Sequence, residues 1–193
     1  MAKDTRARML ETTARLLQHR GYYGTSLSDI LSESGAPRGS LYFHFPGGKD
    51  QLVIEATRAA VEETTAALRE TLAGAASPAQ GVRAFAEAVA GLMRESGYTF
   101  GCPVAPVILD ATGGLDELAE LCRAAFEEWV RLLREAFAAA GVPEGRAGAL
   151  ALLVVASVEG LLLVARAYRD CGPILAVAAE LEAIVAAALP RAG

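Results

Sequence analysis

The sequence predicts an all-α fold of about nine helices. Hydrophobic residues make up 53% of its 193 residues, with alanine and leucine dominant and β-branched runs few, a composition that favours helix. Apolar positions recur at three- and four-residue steps, and the period-two alternation of a half-buried strand is absent. Glycine and proline clusters cut the periodic stretches into helix-sized pieces.

The first helix is expected over 4–20, where Met9/Leu10, Thr13, Leu16 and Leu17 share one side, and Gly21 ends it. Ser26 followed by Asp29 is a capping-box pattern and starts a second helix, with Leu27, Ile30 and Leu31 turned inward. Gly35 suits the left-handed residue after a helix, and Pro37 pre-sets φ for a third. In that third helix Leu41 and Phe45 lie four apart and pack back on the first two, with Phe43 expected to share the core. Pro46-Gly47-Gly48 breaks the chain before a long helix over 50–73. Gly74 to Pro78 is the next break, followed by a helix over 79–95. An irregular stretch from Gly97 to Pro106 leads into a short helix over 104–111, and Gly113-Gly114 makes a turn. Helices over 115–140, 145–169 and 174–188 complete the chain, separated by Gly141-Val142-Pro143 and Cys171-Gly172-Pro173.

The net charge of −5 is unevenly spread. Residues 1–49 hold seven Lys/Arg against four Asp/Glu, and the remainder eleven against nineteen. A basic head on an acidic body points to the head as the part that meets a polyanion. The three cysteines, Cys102, Cys122 and Cys171, form no C-x-x-C pair, which argues against a metal cluster or disulfide framework and for a reducing compartment, the cytoplasm. No cofactor is expected. Residues 147–165 are long and apolar enough for a membrane span, but Glu159 sits near their middle. A helix buried in a bundle or dimer, with no membrane partner, is the better reading.

Residues 25–49 form two short helices around a glycine turn. A helix that enters a major groove needs a narrow front end carrying donors, and Arg38-Gly39-Ser40 supplies one. Arg38 can grip guanine O6 and N7 with two bonds, or a phosphate. Gly39 permits close approach, and Ser40 can donate to a phosphate or a base edge. Thr25 and Ser26 lie at one helix N-terminus and Lys49 at another, where phosphate is favoured. Each residue alone is more often an ordinary surface group; the constellation carries the reading.

Gly21-Tyr22-Tyr23-Gly24-Thr25-Ser26-Leu27-Ser28-Asp29-Ile30 and Gly35-Ala36-Pro37-Arg38-Gly39-Ser40-Leu41-Tyr42-Phe43-His44-Phe45 resemble the TetR family of transcriptional repressors nearly position by position. Many members carry serine or threonine where this chain has Pro37, and two residues where Pro46-Gly47-Gly48 makes three. The Ala-Pro-Arg-Gly-Ser-Leu-Tyr run, the Pro-Gly-Gly-Lys link and Gly101-Cys102-Pro103-Val104 look like the LmrA/YxaF-type branch. The resemblance implies a helix-turn-helix DNA-binding domain over 1–49 and a helical ligand-binding and dimerisation domain over 50–193. It implies that Tyr42 and His44 contact phosphates or thymine methyls, that the partner is a double-stranded, palindromic operator, and that a small apolar or aromatic inducer releases the protein.

In the body, Ala149, Ala156 and Gly160 allow close helix approach, and Leu153, Leu161, Leu181, Ile184 and Val185 supply apolar area for a homodimer interface of two helices from each copy. Candidate inducer contacts between 79 and 166 are Phe85, Val89, Met93, Phe100, Val104, Ile108, Cys122, Phe126 and Trp129. Glu159 is either a polar group in that pocket or an ion-pair partner of Arg166 or of an arginine from the second copy. No nucleophile elbow, zinc motif or phosphate loop is present, so an enzyme is not expected. The alternative to ligand release is a redox switch through Cys102 or Cys122.

Overall fold

A computed structural model describes residues 5–110 and 115–190. The described residues form nine helices and no strand: α1 (Thr5–Arg20), α2 (Leu27–Ser34), α3 (Arg38–His44), α4 (Gly48–Gly74), α5 (Pro78–Glu95), α6 (Ala105–Asp110), α7 (Asp116–Ala139), α8 (Glu144–Tyr168) and α9 (Gly172–Ala188). The turn expected at Gly113-Gly114 lies outside the described residues. Packing divides the chain into two compact units, Met1–Glu63 with Cys102–Ala125, and Thr64–Gly101 with Phe126–Gly193.

The first unit contains the three-helix head. Met9, Leu16, Ile30, Ala36, Leu41, Phe45 and Leu52 form its core, with Leu10, Leu27 and Leu31 packed at the edge. The capping box at α2 is complete: the Ser26 hydroxyl accepts from Asp29 N–H at 3.1 Å, and the Asp29 carboxylate accepts from Ser26 N–H at 3.3 Å. Gly35 ends α2 in the left-handed region at φ 63°, where a side chain would be strained. Pro37 takes the N-cap of α3 without a side-chain cap.

Phe43 departs from expectation: it is 80% exposed and outside the core. It follows Leu41 by two residues, about 200° around the helix, so burying Leu41 turns Phe43 outward.

In the second unit α5 packs on α9, burying Ile174, Ala178, Leu181 and Val185. The Cys171 thiol donates to the Ala90 carbonyl at 3.3 Å, and Arg83 pairs with Glu182 at 3.0 Å, tying the same two helices. Leu181 and Val185 therefore fill the chain's own core and do not face a second copy. α8 buries Ala147, Leu150, Ala151, Val154, Leu161, Leu162 and Ala165 on one side. Its other side exposes Ala149, Leu152, Leu153, Ala156, Gly160, Leu163, Val164 and Ala167, an unbroken apolar stripe at three- and four-residue steps. By length and composition α8 could cross a membrane, and only 28% of its most apolar stretch is buried within the chain.

Candidate nucleic-acid interface

The head's arginines separate into partnered and unpartnered. Arg6 pairs with Glu55 and lies 5.4 Å from the Phe45 ring centre. Arg15 pairs with Glu33, and Arg20 lies 3.5 Å from Glu33 and 3.9 Å from Asp29. Arg8 donates to the Thr5 hydroxyl at 3.4 Å. Arg38, at the first position of α3, is exposed and has no hydrogen-bond or ion-pair partner among the described residues. An unpaired guanidinium on the front of an exposed helix keeps its full donor fork for a partner.

Around Arg38 the surface is open and polar. A methyl group added at Gly39 would meet nothing within 4 Å, so the fold itself does not require glycine there. Ser40 is half-buried, and its N–H closes the first turn on the Pro37 carbonyl at 2.9 Å. Tyr42 is 57% exposed. His44 stands beside two aromatic rings, 4.9 Å from Phe43 and 6.4 Å from Phe45. Between α2 and α3 runs a groove of about 430 Å³, lined by Leu27, Ser28, Leu31, Ser32, Ala36, Arg38, Leu41 and Tyr42. Sequence reasoning missed Ser28 and Ser32 at this groove; both are exposed and lie four apart on the outer side of α2, a spacing that was there to be read.

Three residues expected at DNA are otherwise engaged. Thr25 is fully buried and its hydroxyl donates to the Gly21 carbonyl at 2.7 Å, so it shapes the turn before α2. The Ser26 hydroxyl is committed to the capping box, where it also donates to Asp29 at 2.7 Å and helps hold that carboxyl below its usual range. Lys49 is turned inward: its ammonium donates to the Tyr22 carbonyl at 2.8 Å and sits 4.0 Å from the Tyr22 ring centre, and burial lowers its pKa. The Tyr22 hydroxyl bonds Asp50, and burial followed by that contact pushes the phenol up to about 12.

The residues expected to contact an inducer divide between the two units. Val104, Ile108 and Cys122 belong to the first; Phe85, Val89, Met93, Phe100, Phe126, Trp129 and Glu159 belong to the second. Val89, Met93, Val104, Cys122 and Trp129 are buried, Phe85, Phe100, Phe126 and Glu159 are half-buried, and Ile108 is exposed. Phe126 and Trp129 meet edge to face at 5.5 Å. The Trp129 indole donates to the buried Thr65 hydroxyl at 2.9 Å, a partner 64 residues away that no local pattern announces. Arg166 donates to the Thr99 and Phe100 carbonyls at 3.1 and 3.0 Å. Both candidate redox cysteines are buried. Burial pushes the Cys122 thiol up to about 11, which makes it a poor nucleophile at neutral pH.

Known proteins share both the sequence and the fold. Residues 9–56 match the family model described as bacterial regulatory proteins of the tetR family. Residues 78–180 match the C-terminal domain of LmrA/YxaF-like transcriptional regulators. The HTH-type transcriptional regulator LmrA of Bacillus subtilis is 34% identical over 89% of this chain and 92% of its own. An uncharacterised HTH-type regulator of Mycobacterium tuberculosis is 36% identical over 96% of each. The crystal structure of a TetR transcriptional regulator from Chloroflexus aurantiacus superposes with a TM-score of 0.83 at 28% identity, covering 97% of both chains. A cysteine mutant of the TetR-family regulator CifR, solved with a 26 bp operator duplex, shares the fold at a TM-score of 0.80 and 24% identity over 95% of this chain and 96% of its own. These are regulators of transcription and not enzymes, and their likeness runs the length of the chain from the helix-turn-helix to α9. The chain belongs to the TetR family of DNA-binding transcriptional regulators, in its LmrA/YxaF-like branch.

Proposed function

We propose that the protein is a cytoplasmic repressor that binds a palindromic operator as a homodimer and is released by a small apolar or aromatic inducer. The observation that carries this reading is Arg38, unpartnered on the exposed front of α3 beside an open Gly39. Arg38 reads a guanine edge, and Ser40, Tyr42 and the hydroxyls of Ser28 and Ser32 at the α2–α3 groove hold the phosphates on either side. The exposed Phe43 is placed for the sugar-phosphate backbone or a thymine methyl.

The apolar stripe on α8 and the exposed Leu175 and Ile184 of α9 support a two-fold interface with a second copy. A symmetric pair of heads then reads two half-sites on one side of the duplex, separated by about one turn of DNA or a multiple of it. The half-buried aromatics Phe85, Phe100 and Phe126 support an aromatic inducer. Release follows if the inducer favours a state in which the two heads no longer fit one duplex; a coupling of about 1.4 kcal/mol lowers operator affinity tenfold.

The test is selection of duplexes from a random-sequence pool by the purified protein, followed by titration at several salt concentrations. A palindromic duplex bound by two chains, with affinity falling steeply as salt rises, is expected. Enrichment of no sequence, or one chain per duplex, would count against the reading.

A further inference from the structure

The turn between α1 and α2 is held at three successive residues by three side chains. The Gly21 carbonyl accepts from the Thr25 hydroxyl at 2.7 Å. The Tyr22 carbonyl accepts from the Lys49 ammonium at 2.8 Å. The Tyr23 N–H donates to the Asp110 carboxylate at 3.1 Å. The first two side chains come from the head and the start of α4. The third comes from the end of α6, 87 residues along the chain.

The contact is built from both sides. Gly21 has φ +68°, and a Cβ there would sit 2.4 Å from Asp110 Oδ2, so the carboxylate occupies space that only glycine leaves. Asp110 is the last residue of α6, the end of a helix where a negative charge is unfavourable, so α6 itself gains nothing from it. The Lys49 ammonium, on the neighbouring Tyr22 carbonyl, is near enough to feel that charge: against the lowering by burial, Asp50 and after it Asp110 favour its protonated form. Tyr23 is three residues from the Ser26 cap, so what fixes Tyr23 fixes where α2 begins and how the α2–α3 pair is presented.

We propose that Asp110, outside the helix-turn-helix, is a positioning residue for DNA binding: its carboxylate holds the α1–α2 turn in the geometry that lets α2 and α3 engage an operator together. The proposal rests on the DNA-binding reading above and adds a determinant to it.

Charge alone predicts the opposite sign, which makes the test sharp. Removing a carboxylate makes the head more positive and by itself tightens binding to a polyanion. Fluorescence anisotropy with the duplex selected by the wild-type protein, and with a random-sequence duplex, reads both effects. Asp110→Ala is expected to weaken the selected duplex by about tenfold, equivalent to about 1.4 kcal/mol. The random duplex should be bound as tightly as by wild type or slightly more tightly, from the charge effect alone, and the slope of affinity against salt should be unchanged, since no phosphate contact is lost. Asp110→Asn keeps an acceptor oxygen and drops the charge, so it should bind the selected duplex at least as well as wild type. Unchanged or tighter binding by Asp110→Ala, or equal loss in both variants, overturns the proposal. If Asp110→Ala does not fold, Gly21→Ala drives the carboxylate off Tyr23 from the other side; the same selective loss is expected, and full affinity overturns the proposal. A wild-type protein that selects no duplex would instead defeat the DNA reading itself.

Discussion

Leu163 on α8 is 68% exposed in the single chain, in line with Leu152 at 60% and Ala156 and Gly160 between them. If this stripe closes on a second copy, Leu163→Ala removes apolar area from the interface at little cost to the chain's own core. Full burial of a leucine side chain is worth about 1.5–3 kcal/mol, so a side chain two-thirds available contributes about 1–2 kcal/mol. A two-fold axis brings the substitution in twice, for a total of about 2–4 kcal/mol. The dimer dissociation constant should then rise by about thirtyfold to several hundredfold. Sedimentation equilibrium over a range of concentrations measures this, with far-ultraviolet circular dichroism checking that the variant keeps its helices. An unchanged dissociation constant, or a wild-type protein that is monomeric throughout, would refute the placement of the interface on α8.

Two further predictions concern the first unit. Thr25→Val keeps the side-chain shape but breaks the bond to the Gly21 carbonyl, and urea unfolding should show a loss of about 1–3 kcal/mol. The slope of DNA affinity against salt should stay as in wild type; a shallower slope would mean that Thr25 does reach a phosphate. The Cys122 thiol titrates higher in the folded protein, at about 11, than at its ordinary value of 9.0. The folded state therefore holds this proton more tightly, and that contribution is complete below about pH 9 and lost as pH rises toward 11. The stability lost over this window should be smaller in Cys122→Ala by about 2–3 kcal/mol, measured as the difference between the two proteins. Parallel losses in both would show that Cys122 does not titrate with unfolding.

The helix order, the head's core and the caps were legible because each rests on neighbours in sequence. Ser26 and Asp29 are three apart, Leu41 and Phe45 four, and Gly35 comes four after Leu31, the last apolar residue of α2; these spacings suffice. Phe43 is the exception within the head: its two-residue offset from Leu41 sets it on the opposite side of α3, against the expectation that it shares the core. What escaped depended on residues far along the chain. Lys49 stands at a helix start, where a phosphate contact is a fair expectation, but Tyr22, 27 residues earlier, draws the ammonium inward. α9 escaped for a different reason. It is apolar on nearly every side, so periodicity finds wide faces without telling which one meets α5. Leu181 and Val185 packed inward while Ile184, their neighbour, stayed 39% exposed. The same uniformity on α8 hid Leu152, Leu163 and Tyr168 among the exposed positions while Leu161 went into the core.

In the proposed function one unpartnered arginine at the front of α3, Arg38, reads the operator. Titration of Arg38→Ala against the selected duplex and a random duplex, by fluorescence anisotropy at fixed salt, tests it most directly. A bidentate arginine–guanine contact is worth about 1–3 kcal/mol per half-site, and a dimer makes two. Arg38→Ala should remain a dimer and lose its preference for the selected duplex, binding it about as weakly as random DNA. A variant that still prefers the selected duplex by the wild-type ratio would contradict it.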